Sequence, residues 1–72
     1  MAYYKIDVMG KNGHSFMMET DEELCYDEDV IDLAVEHNLF QDSEDAYYAV
    51  VDDWVSEQDI EHFKSVDCCY KI

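Results

Sequence analysis

Seventy-two residues at 8.5 kDa make one small domain, with 19 Asp and Glu against four Lys, no Arg and a formal charge of −15. Nearly half the chain, 49%, is hydrophobic, which separates it from acidic disordered tails and predicts a folded domain. No apolar run approaches the ~20 residues of a membrane span, and no basic-then-apolar leader is present. Four lysines facing nineteen carboxylates leave direct binding to nucleic acid or an anionic membrane all but excluded.

The first signal along the chain is alternation. Tyr4, Ile6 and Val8 share one face of a strand, with Lys5 and Asp7 on the other. A second run from His14 to Thr20 sets Phe16 and Met18 on one face. A three-residue turn, Lys11-Asn12-Gly13 with Gly13 left-handed, pairs Val8 with Phe16 and Ile6 with Met18, and puts Lys5 opposite Glu19. Thr20 and Glu23 have the spacing of a capping box.

A helix follows over residues 28–37 with Asp27 as its N-cap. Val30, Leu33, Ala34 and His37 form its inner stripe, widened by Ile31 and Val35. Glu28, Asp29, Asp32 and Glu36 gather on the opposite side, and Asn38 suits a left-handed C-terminal position before Leu39 and Phe40. Asp42 or Ser43 caps a second helix of about three turns that ends near Trp54. Its stripe, Tyr47, Val50, Val51 and Trp54, has core-face spacing, while Asp45, Tyr48 and Asp52 point outward. Ser56 with Asp59 introduces a short helical piece carrying Ile60 and Phe63. Alternation over Ser65 to Ile72 predicts a last strand. The expected fold is α+β, in the order β-β-α-α-β. A three-stranded antiparallel sheet, the last strand beside the first, carries both main helices on one face.

Reactive groups give little. Cys25, Cys68 and Cys69 are an odd count without a disulfide framework, which reads as free thiols in a reducing cytoplasm. Paired metal ligands such as Cys-x-x-Cys are absent, as is the glycine of a calcium loop, so no metal or other cofactor is expected. With so many acids, carboxylate pairs arise by chance, and no nucleophile context accompanies them. The chain does not read as an enzyme. Surface tyrosines usually cover neighbouring apolar groups, but Tyr3, Tyr26 and Tyr48 are also possible interface anchors, Tyr48 foremost because Asp45 and Asp52 flank it.

Charge distribution is the informative feature. Between Lys11 and Lys64 lie 17 acids with no Lys or Arg, concentrated in two stretches of eight, Glu19 to Asp32 and Asp42 to Glu61. Solubility needs a net charge of only about 2–8, and the excess destabilises the compact state by self-repulsion. A domain near 30 Å across has room beside it for duplex bearing roughly 17 charges, close to this chain's own. The expected contact surface comprises Glu19, Asp21, Glu22, Glu23, Asp27, Glu28, Asp29 and Asp32, together with Asp45, Tyr48 and Asp52 on the second helix.

In size, charge and α+β layout the whole chain resembles phage-encoded DNA mimics: anti-CRISPR, anti-restriction and uracil-DNA glycosylase inhibitor proteins, the small anti-CRISPR proteins most of all. The likeness rests on no motif, so no residue role is transferred. It implies an inhibitor, monomeric or weakly dimeric, that occupies the DNA- or PAM-reading site of a Cas effector in the host bacterial cytoplasm. Two other readings account for the acidity: an adaptor or antitoxin-like protein with a basic partner unrelated to nucleic acid, and a halophilic domain.

Overall fold

The computed structural model describes residues 2–10, 13–52 and 54–72. In chain order they form β1 (Ala2–Val8), β2 (His14–Thr20), α1 (Asp27–Glu36), a 3-10 turn (Ser43–Tyr48), β3 (Ala49–Asp52), α2 (Glu57–Ser65) and β4 (Cys69–Lys71). The sheet has four strands in the order β3-β1-β2-β4. β1 runs antiparallel to β2 and β3, and β4 runs parallel to β2. The fold is α+β, but the expected three-stranded antiparallel sheet with both helices on one face is overturned.

Two local facts cause the difference. The span expected as a second helix makes only a 3-10 turn, started by a capping box between Asp42 and Asp45, and then becomes strand. Ala49-Val50-Val51-Asp52 lies along the open edge of β1, where β-branched side chains fit the pleat better than they fit a helix. The second real helix is α2, capped reciprocally by Ser56 and Asp59. It carries the chain across the sheet, so β4 joins the far edge beside β2 rather than beside β1.

Strand register shows how the faces divide. Ile6 stands opposite Phe16, Tyr4 opposite Met18 and Val8 opposite His14, two residues away from the expected pairing. Because the side-chain period is two, the displacement leaves every residue on its expected face. The loop is longer than the expected turn, and among its described residues the positive φ, 143°, falls at Gly10, not Gly13. Lys11 and Asn12 of that turn lie outside the described residues. Lys5 is opposite Met17 instead of Glu19, and its ammonium pairs with Asp52 at 3.4 Å.

Tyr4, Ile6, Val8, Phe16, Met18 and Val51 line the face covered by α1, whose Val30 and Ala34 are buried among them. Of the expected α1 stripe, His37 and Val35 are exposed. Tyr26, not Asp27, occupies the N-cap, without a side-chain bond; Asn38 takes the left-handed conformation (φ 55°), and Leu39 and Phe40 pack on the core. The other face carries Tyr3, Lys5, Met17 and Glu19. Phe63 of α2 is buried against it beneath the Lys5 ammonium, which lies 5.8 Å from the ring centre. Met17 has no exposure at all, so this second core is real though small.

Candidate functional site

The acids expected to form one surface fall into three groups. Asp21, Glu22 and Glu23 lie exposed on the loop after β2, and Asp27, Glu28, Asp29 and Asp32 lie exposed on α1, followed by Glu36. Among the described residues, no hydrogen bond or ion pair engages these eight carboxylates. Their loop is nonetheless pinned: the Tyr4 hydroxyl accepts from the Leu24 amide at 2.9 Å, and Thr20 Oγ1 accepts from the Glu22 amide at 3.2 Å. The result is a run of eight exposed acids, the acidic ridge, on one pinned loop and the helix that follows it.

Glu19 does not belong to that ridge. It is 8% exposed on the α2 face, where its carboxylate accepts from the Tyr3 hydroxyl at 3.3 Å. Lys64 donates to the same hydroxyl and lies over the Tyr3 ring, 5.4 Å from its centre. That hydrogen bond raises the Lys64 pKa. Nearby, burial raises the thiol pKa of Cys69, with the Glu19 charge adding to it, so this thiol is held away from its reactive form.

Asp45, Tyr48 and Asp52 do not share a helix face. Asp45 accepts from the Asp42 amide inside the 3-10 turn, and Asp52 sits on β3 paired with Lys5. Tyr48 ends the turn 57% exposed, while its carbonyl accepts from the Met9 amide. The expected core stripe of that segment is also lost. Val51 is buried, but Val50 lies half-exposed, and Tyr47 and Trp54 are exposed almost completely.

Trp54 marks a feature that sequence reasoning missed. Among the described residues the ladder between β1 and β3 runs from Val8 opposite Ala49 to Lys5 opposite Asp52, and Ala2, Tyr3 and Tyr4 of β1 lie beyond it. A cleft of about 460 Å³ lies at that end of the sheet, beside Tyr3, Tyr4 and Asp52. Tyr4, Tyr26, Asp27, Asp52, Trp54 and Ile60 of α2 are among the residues that line it. The cleft opens beside the first turn of α1, where the acidic ridge begins. One signal was available: Ser56 caps α2, which leaves Trp54 in a short connector rather than in a packed element.

Among the described residues, no helix is long and apolar enough to cross a membrane, and no three His, Cys, Asp or Glu side chains are grouped to hold a metal ion. Comparison with protein-family models, curated proteins and solved structures gives no match.

Proposed function

We propose that this protein is a DNA-mimic inhibitor that occupies the positively charged DNA-binding site of a nucleic-acid-binding complex, a CRISPR-Cas effector in the host cytoplasm being the leading target. Its role is binding, without catalysis or a cofactor. The observation that carries this reading is the charge spacing of α1. Ten residues of helix span about 15 Å and bear five exposed carboxylates, Asp27, Glu28, Asp29, Asp32 and Glu36. One strand of B-DNA over the same length presents about four to five phosphates. The loop acids Asp21, Glu22 and Glu23 extend the ridge beyond the helix.

The whole molecule is commensurate with the same idea. It measures 28 × 25 × 19 Å and carries −15, while duplex 28 Å long bears about 16 charges. A groove lined with Lys and Arg to accept phosphates finds a similar charge density here. Association should therefore be fast and weaken steeply with salt.

The test is competition. Purified protein is added to a Cas effector from a candidate host, and binding of labelled duplex is followed at two salt concentrations. Mimicry predicts that duplex and protein exclude each other and that excess duplex displaces the protein. A ternary complex in which both bind with undiminished affinity would overturn it. Folding that required molar salt would favour the halophilic reading instead.

A further inference from the structure

We infer that the cleft lined by Tyr26, Asp27 and Trp54 is a receptor for an arginine side chain presented by the basic partner, a step that rests on the DNA-mimic reading and supplies its point of specificity. The walls carry the argument first. Tyr26 is 72% exposed and Trp54 76% exposed, and both are among the residues that line the cleft. Aromatic faces attract cations through the ring quadrupole, and a carboxylate beside them adds charge of the matching sign. Asp27 and Asp52 supply it.

The protein's own lysines already use this chemistry. Lys5 sits between the Asp52 carboxylate, at 3.4 Å, and the Phe63 ring. Lys64 lies over the Tyr3 ring and donates to its hydroxyl. Asp52 is thus partly neutralised by Lys5, and Asp27 is the lining carboxylate that no internal cation takes up among the described residues. The α1 N-terminus alone would disfavour a cation, but Asp27, Glu28 and Asp29 in its first turn reverse the local sign.

Arginine suits the site better than lysine. A planar guanidinium stacks on an indole or phenol ring while its edge donates to a carboxylate, and it is more weakly hydrated than an ammonium. The cleft volume of about 460 Å³ accommodates a guanidinium with its three-methylene stem. Apolar ligands are disfavoured by the lining carboxylates, and anions by the surrounding charge. Arginine is also the side chain that basic grooves direct at guanine edges, so a duplex-like decoy with an arginine pocket would engage the reading residue as well as the phosphate-binding ones.

The chain has a single tryptophan, so the emission of Trp54 reports on the cleft directly. The intact protein is titrated with a short, otherwise neutral peptide containing one arginine, and with matched peptides containing citrulline or lysine. The arginine peptide should change the Trp54 emission saturably and bind about tenfold more tightly than the citrulline peptide, which keeps the shape and loses the charge. Lysine should fall between them. Asp27→Asn and Tyr26→Ala alter exposed side chains, and each should weaken the arginine peptide several-fold. Equal binding of the arginine and citrulline peptides, or indifference to both substitutions, would overturn the receptor. The two proposals fail separately. Arginine binding without duplex competition leaves the receptor and removes mimicry. Duplex competition that Asp27→Asn and Tyr26→Ala leave unchanged removes the receptor and leaves mimicry.

Discussion

The two acidic stretches carry eight acids each, yet they do different things. In the second, Asp42 accepts from the Glu44 amide and Asp45 from the Asp42 amide, closing one capping box. Asp59 accepts from both the amide and the hydroxyl of Ser56, closing another, and Asp52 holds Lys5. Four of the seven described acids of that stretch therefore shape the backbone or anchor a strand. In the first stretch, among the described residues, only Glu19 is engaged in this way, through Tyr3. The cap residue decides the difference. Asp42 and Ser56 carry side-chain oxygens that accept helix amides, and their own amides bond to the acid three residues on. Tyr26, in contrast, caps α1 with no side-chain bond, and Asp29 at the same spacing engages no partner among the described residues. Charge count alone therefore points to both stretches, and hydrogen bonding singles out one.

The sharpest way to break that comparison is to neutralise each group separately. Replacing Glu28, Asp29, Asp32 and Glu36 by their amides should lower affinity for the target complex by at least about 100-fold, measured by duplex competition. The same variant should melt no lower than the parent, because it loses repulsion and no hydrogen bond seen among the described residues. Preserved affinity would move the contact surface elsewhere.

Cap removal in the second stretch should give the opposite result. Asp42→Ala and Ser56→Ala should each cost about 1 kcal/mol. For a domain of this size that lowers Tm by roughly 4–8 °C. Target affinity should stay within about twofold, since neither residue lies on the ridge. A cap variant that lost binding while remaining folded would mean that the two stretches act together.

How far these roles are legible in the sequence follows from the same contrast. The outer face of α1, the Ser56–Asp59 box, Asn38 and the inward faces of β1 and β2 follow from spacing, because each rests on contacts within a few residues. The hairpin register slipped by two without moving a side chain between faces, since alternation specifies parity and not pairing. The segment Tyr47 to Trp54 satisfies helical spacing by coincidence, and the empty edge of β1 outweighed it. Nothing local announces that edge. The parallel seating of β4 beside β2 depends on where α2 delivers the chain, which is equally nonlocal. The cleft is a consequence of both, so its aromatic walls could not be read as neighbours in advance.

A smaller effect separates the stretches through salt. Raising ionic strength from 0.01 to 0.15 M shortens the Debye length from about 30 to about 8 Å, which screens repulsion between exposed carboxylates. Parent Tm should rise across that interval, and the fourfold amide variant of α1 should rise less. Removing Asp42 or Ser56 should leave the salt response of the parent almost intact, because cap hydrogen bonds are local. Equal salt responses in all three proteins would place the repulsion outside α1.

The smallest expected effect is in acid. Hydrogen bonds from the Ser56 amide, at 3.2 Å, and the Ser56 hydroxyl, at 3.0 Å, hold the Asp59 carboxyl below its ordinary value of 3.8. A carboxyl depressed in the folded state stabilises the fold fully above its unfolded pKa, and that contribution is lost as pH falls through the lower folded value. Asp59 should therefore matter little near neutrality and should steepen the loss of stability below 3.8. The acidic ridge acts in the opposite sense. As pH drops towards the isoelectric point near 4.1, net charge and self-repulsion shrink, so stability should first rise. Thermal melts from pH 7 to pH 3 should thus pass through a maximum close to the isoelectric point. Asp59→Asn keeps an acceptor for Ser56 but removes the titration, so the rise should persist while the acid limb becomes shallower. The fourfold amide variant of α1 should do the reverse, flattening the rise and keeping the limb. If Asp59→Asn tracks the parent along the acid limb, the cap does not carry that dependence.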